Sequence, residues 1–87
     1  MQKHTKIYMQ FFGYQIAEDV VCEITGEPAN DIHHINGRGK GKDVIENLIA
    51  IVNRIHFPTH NGTPQYTKKE FEAIHQEFMR RNNRKIK

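Results

Sequence analysis

Cys22 is the only cysteine in this chain of 87 residues, and that narrows the ways in which so short a sequence can hold a fold. No intrachain disulfide can form, so the stapled scaffolds of small secreted domains are excluded. One domain of this size buries only about 60–70% of the surface its unfolded chain exposes, which leaves a thin apolar core. A bound ion or a partner subunit is the reinforcement that remains. Six histidines supply the residue type that an ion needs. No run of about 18 apolar residues is present to span a membrane. The first ten residues, MQKHTKIYMQ, lack the cationic then apolar order of a signal peptide. The chain therefore reads as a soluble, cytoplasmic single domain over residues 1–87.

Local patterning divides it into a few elements. Ile7 to Tyr14, IYMQFFGY, places Tyr8, Phe11 and Phe12 at i, i+3 and i+4, compatible with a short helix or with an aromatic clasp over the core. Val20 to Ile24, VVCEI, reads as a strand, and TGEPAND after it is turn chemistry. Ile32 to Ile35 is the expected partner strand. Asn47 to Val52 is a third extended piece or the start of a helix, and a helix capped by Asn53 is expected to follow. Over about 67–82, Thr67 and Glu70 form a capping box while Phe71, Ile74 and Phe78 fall on one face. That stripe reads as core packing. His75 beside it reads as a surface or half-buried helix residue without a special role.

Thirteen lysines and arginines against ten acids give a net charge of +3 with neutral histidines, and the cations cluster. Arg38, Lys40 and Lys42 alternate with glycines, and Arg80, Arg81, Arg84, Lys85 and Lys87 crowd a basic tail over 80–87. Glycines let a backbone approach a phosphate and interleaved cations supply charge, so both clusters suit a polyanion. A flexible hairpin loop and a solvated terminus are the plainer readings.

The histidines carry the sharper signal. His33 and His34 are adjacent in DIHHI, and His56 and His60 are spaced H-x-x-x-H, which on a helix puts two imidazoles on one face about a turn apart. Asn47, in ENL, lies between the two groups. DIHHI, ENL, His56 and His60 together resemble the HNH endonuclease motif across residues 22–62. The resemblance implies an α+β fold with a ββα-metal (His-Me finger) core, here joined to the N-terminal aromatic segment and the C-terminal amphipathic helix. It implies that His33, His56 and His60 are metal ligands, that His34 is the general base and that Asn47 holds the hairpin loop. One divalent ion, Mg²⁺, Mn²⁺, Ni²⁺ or Zn²⁺, is the expected cofactor. Asp31 shares a face with His33 in a regular strand and would orient a ligating histidine or face solvent as a turn acid.

Phosphodiester hydrolysis asks for such residues on its own account. It needs a deprotonated water, charge at the phosphoryl oxygens and relief for the leaving oxygen. A histidine with an ordinary pKa near ~6.5 can accept the water's proton, and three protein ligands leave an ion with open positions. The expected activity is hydrolysis of duplex DNA, by nicking or double-strand cleavage, with Arg38, Lys40, Lys42, Arg80 and Arg81 gripping its phosphates. By the same resemblance, cleavage leaves a 5′-phosphate and a 3′-hydroxyl. Small proteins of this kind resemble those that phages encode near DNA-packaging genes, so a homodimer or a larger phage assembly in the host cytoplasm is the expected setting.

The sequence departs from the family in two places. Related domains carry a structural zinc on two C-x-x-C knuckles, but here Thr25, Val52 and Ile55 replace three of the four cysteines. Val52 and Ile55 are expected to fill that space with apolar contacts and Cys22 to act as a small buried hydrophobe. Pro58 falls between His56 and His60 and is expected to break or distort the turn that links them. Regular strand geometry also points His33 and His34 to opposite faces, so either the water and the ion sit on the two sides of the scissile phosphate or the strand is irregular just before Asn36 and Gly37; the plainer reading makes one of the two a hydrogen-bonded core histidine. The alternative function is a non-catalytic nucleic-acid-binding module in which zinc only stabilises the fold, a role with no use for His34.

Overall fold

A computed structural model of the chain describes residues 2–60 and 65–82, with residues 57–60 described by their backbone alone. The architecture is α+β. Helix α1 (Lys3–Phe12) leads to a two-stranded antiparallel sheet, β1 (Asp31–His34) and β2 (Leu48–Ile51), followed by α2 (Asn53–His60) and α3 (Lys68–Asn82). Among the described residues no helix is long and apolar enough to cross a membrane.

Helix α1 takes in the aromatic segment and begins a turn earlier than the aromatic spacing suggests. Its buried residues His4, Tyr8, Met9 and Phe12 follow the helical period. Gly13, at φ 77°, closes it in the left-handed conformation open to glycine, with the Tyr14 N–H donating to the Met9 carbonyl at 2.9 Å.

The strand expected over Val20–Ile24 does not form. Gly26 N–H donates to the Cys22 carbonyl and Cys22 N–H to the Glu27 carbonyl, so the segment folds on itself around a single bridge between Val21 and Pro28. Four apolar residues around Glu23, next to Gly26 and Pro28, are too few to extend a ladder against that turn. The partner of β1 is instead β2, in the register Asp31↔Ile51, Ile32↔Ala50, His33↔Ile49 and His34↔Leu48. All four residues of β2 are buried, because helices cover both faces of the sheet and an unbroken apolar run suits a strand without a wet side. One cluster joins Ile32, Leu48 and Ala50 to Tyr8, Met9 and Phe12 of α1, and the other joins Ile49 and Ile51 to Ile55 of α2 and Phe71 of α3. Cys22, Val52 and Ile55 pack in that second cluster.

Two details of α2 differ from expectation. Its first N–H, on Asn53, donates to the side-chain oxygen of Asn30 at 2.7 Å, so the cap comes from across the sheet and not from Asn53. The helix also runs through Pro58 to His60 and is not broken there. Only one intrahelical bond is forfeited by the missing amide hydrogen, and the helix is anchored upstream by His56 N–H donating to the Val52 carbonyl at 2.9 Å. Helix α3 begins at the capping box, with Glu70 N–H donating to Thr67 Oγ1 at 3.1 Å and Thr67 N–H donating to Glu70 Oε1 at 2.7 Å.

His75 is not a surface residue. Its side chain and that of Glu23 are both fully buried, with His75 Nδ1 2.9 Å from Glu23 Oε2, while Tyr8 Oη–H donates to the same oxygen at 2.5 Å. On its other side His75 Nε2–H donates to the Ile45 carbonyl. One proton lies between His75 Nδ1 and the Glu23 carboxyl, so the group is neutral as a unit and all its polar atoms have partners. Burial pushes the Glu23 carboxyl up and holds the Tyr8 phenol far above its usual range, the nearby Glu23 adding to the second effect. The network ties α1, the turn after Val20 and α3 together around the sheet.

Candidate active site

The loop from β1 to β2 carries the glycines and cations, and Asn47 holds it from the 3₁₀ turn Ile45–Asn47 that precedes β2. The buried Asn47 side chain accepts from Asn36 N–H at 2.7 Å and donates to the carbonyls of Gly37 at 3.1 Å and Lys42 at 3.0 Å. Both ends of the glycine loop are thereby fixed to one amide. Asn36 is further tied to Glu72 of α3 at 2.9 Å.

Strand alternation sends His33 and His34 to opposite sides, since β1 is regular and buries alternate residues. His33 faces α2, its ring centroid 5.5 Å from that of His56 and 5.5 Å from that of Phe71. Asp31 lies on the same face, with Oδ2 3.5 Å from His56 Nδ1. Asp31 and His33 thus both approach His56 where β1 meets α2. The side chain of His60, expected as the third histidine ligand, lies outside the described residues.

His34, on the other face, is buried, and its Nε2 is 2.8 Å from Asp43 Oδ1 at the end of the glycine loop. A carboxylate can only accept, so Nε2 carries the hydrogen and Nδ1 the lone pair. The bond from His34 holds the Asp43 carboxyl below its usual range. Against the His34 ring stands His4 of α1, at 4.6 Å between centroids. His4 is 4% exposed, and its Nε2 is buried with no hydrogen-bond partner among the described residues. Burial first, and then the neighbouring His34, lower its pKa. His4 and Asp43 are site residues that sequence spacing does not single out. Extending the helical period one turn back from Tyr8 lands on His4; Asp43 has only its place beside the cationic loop.

The two faces meet at the end of the strand. One cavity of about 400 Å³ is lined by Ile32, His33, His34, Gly37, Arg38 and His56, so neighbours that point apart still border a common space. Lys40 and Lys42 are exposed on the same loop. Arg80 and Arg81, in the last turn of α3, lie 2.6 and 3.6 Å from Glu77 Oε2, so part of their charge is answered within the helix. Arg84, Lys85 and Lys87 lie outside the described residues.

No known family model matches this chain, and neither does any curated protein or any solved structure.

Proposed function

We propose that the chain is a metal-dependent DNA endonuclease of the HNH type, hydrolysing phosphodiester bonds. The observation that carries the reading is the cavity shared by His33, His34, Arg38 and His56. It is bordered by the histidines of the first and last parts of the motif, more than twenty positions apart in the chain, and is of a size that admits a phosphate; Asn47, the middle part, holds the loop beside it.

Within that space each side chain has a separate task. His33 and His56 would hold the ion, with His60 the third histidine that the family resemblance implies and Asp31 beside His56 to orient its ring. When bound, the ion supplies positive charge to the phosphoryl oxygens and to the leaving oxygen. His34 takes a proton from the attacking water at Nδ1, the nitrogen left with a lone pair by the bond to Asp43. Asp43 positions that base by fixing its tautomer and is itself no proton acceptor in the reaction. Arg38 balances the phosphate charge from the loop side, and Asn47 keeps the loop that carries it in place. Water oxygen bonds to phosphorus as the bond to the 3′ oxygen breaks, leaving a 5′-phosphate and a 3′-hydroxyl. Binding to duplex DNA rests on phosphate contact, so recognition of sequence would need a further module or a second copy of the chain.

The test is incubation of supercoiled plasmid with the purified protein in Mg²⁺, Mn²⁺, Ni²⁺ or Zn²⁺, beside EDTA and the variants His34→Ala and His56→Ala. Nicked or linear product is expected with at least one ion and none with EDTA. His34→Ala is expected to lower the rate about 10²–10⁴-fold, the usual contribution of a general base. Absence of product with every ion, or cleavage that persists in His34→Ala, overturns the proposal.

A further inference from the structure

We infer that His4, His34 and Asp43 form a second divalent-ion site, separate from the pair His33 and His56 and lying on the α1 side of the sheet. One ligand atom from each of the three residues lies within 4.8 Å of the others. A tetrahedral ion with bonds of about 2.0–2.2 Å sets its ligand atoms roughly 3.3–3.6 Å apart. The independent sign of a ligand here is His4 Nε2, a nitrogen on a 4%-exposed residue with no hydrogen-bond partner among the described residues. Leaving such an atom buried and unmatched costs about 1–3 kcal/mol, and an ion bonded to it removes that cost.

The donor set decides which ions fit. Two imidazoles and one carboxylate suit Zn²⁺, Co²⁺ or Ni²⁺, whereas Mg²⁺ prefers oxygen ligands and keeps its waters. Three protein ligands leave a fourth position to water.

Occupation of this site changes His34. An ion bonded through Nε2 takes the place of the hydrogen now shared with Asp43, and the single ring proton of the neutral imidazole moves to Nδ1. The lone pair that would accept the water's proton is gone. An ion of the Zn²⁺ class therefore switches off the base while Mg²⁺ does not. This consequence rests on the nuclease reading, whereas the binding site itself does not.

The experiment is a Co²⁺ titration of the His56→Ala protein, in which the other site is crippled, followed by the visible absorption of tetrahedral Co²⁺. One equivalent is expected to bind with that band. Adding Asp43→Asn, a partly exposed and isosteric change, or His4→Gln to the same background is expected to weaken binding by more than about 100-fold, beyond the 10–100-fold seen for changes that only touch a ligand from outside. Circular dichroism verifies that each variant is folded, and Asp43→Asn decides the matter if His4→Gln is not. Failure of His56→Ala to bind Co²⁺, or binding that Asp43→Asn leaves unchanged, overturns the site. In a separate arm, Zn²⁺ added to Mg²⁺-supported cleavage is expected to inhibit the wild-type protein. Cleavage that Zn²⁺ leaves uninhibited, with Co²⁺ binding intact, strikes the assignment of His34 Nδ1 as the base in the nuclease reading and leaves the site standing.

Discussion

Replacing Glu23 with alanine is expected to remove a large share of the stability of this chain. The carboxylate is fully buried, receives the Tyr8 hydroxyl and faces His75, whose side chain is equally buried. Truncation leaves His75 without its partner at Nδ1, leaves the Tyr8 hydroxyl without an acceptor and opens a void between α1 and α3. Breaking a buried pair by deleting one member costs about 3–5 kcal/mol. A chain of 87 residues has roughly 4–13 kcal/mol of stability in total, so the variant is near or past its unfolding point at room temperature. Glu23→Gln separates charge from connectivity. Glutamine can accept from Tyr8 with its oxygen and donate to the His75 Nδ1 lone pair with its nitrogen, while His75 still donates to the Ile45 carbonyl. Only one amide hydrogen is then left unmatched, a cost of about 1–3 kcal/mol. Urea unfolding followed by circular dichroism measures both. With a slope of roughly 1–1.5 kcal/mol per molar for a small domain, Glu23→Ala should lower the midpoint by about 2–5 M and Glu23→Gln by clearly less. Equal losses in the two variants, or a Glu23→Ala midpoint near that of wild type, would refute the idea that the proton-sharing unit holds the helices together.

Asn47→Ala removes three hydrogen bonds at a net worth of about 0.5–1.5 kcal/mol each, so a loss of about 2–4 kcal/mol in urea is expected, with faster hydrogen exchange at the Asn36 amide. The pKa of Tyr8 is raised by burial, so the native state keeps a proton that the unfolded chain releases above its ordinary value near ~10. That stability is present below about pH 10 and falls by roughly 1.4 kcal/mol per pH unit above it; Tyr8→Phe should make the alkaline decline shallower by that amount. Replacing Arg38, Lys40 and Lys42 together by glutamine should weaken DNA binding at every sequence and reduce the salt slope by about 0.9 for each phosphate no longer neutralised, as measured by fluorescence anisotropy across a salt series.

Local signals are readable where the chain decides locally. The Thr67 and Glu70 box opens α3 where the sequence places it, and the Tyr8–Phe12 spacing marks α1. Strand pairing is not readable in this way, because VVCEI and IHHI both carry β-branched residues and lie close together. The true pairing crosses the glycine loop and is chosen by β2, whose side chains are wanted on both faces of the sheet. The role of His75 is hidden because a histidine beside an apolar stripe looks like a border residue until a buried acid from a distant turn is known to meet it. Within the candidate site, the histidine doublet, Asn47 and His56 stand out from motif spacing. His4 and Asp43 do not, because their relation to His34 exists only after α1 folds across the sheet and the glycine loop turns back.

The span of the Glu23 and His75 contact sets an order of events during synthesis. The two residues are 52 positions apart, and the whole hairpin with its histidine doublet, the glycine loop and the first turn of α2 is translated between them. Until α3 emerges, Glu23 has no imidazole to share its proton, and closing so long a loop must precede any return from it. A nascent chain stalled before residue 68 therefore carries the motif without the clasp. Such a fragment should remain sensitive to protease and acquire resistance only once the final helix is released, so that the hairpin with the histidine doublet matures last although it is made before that helix.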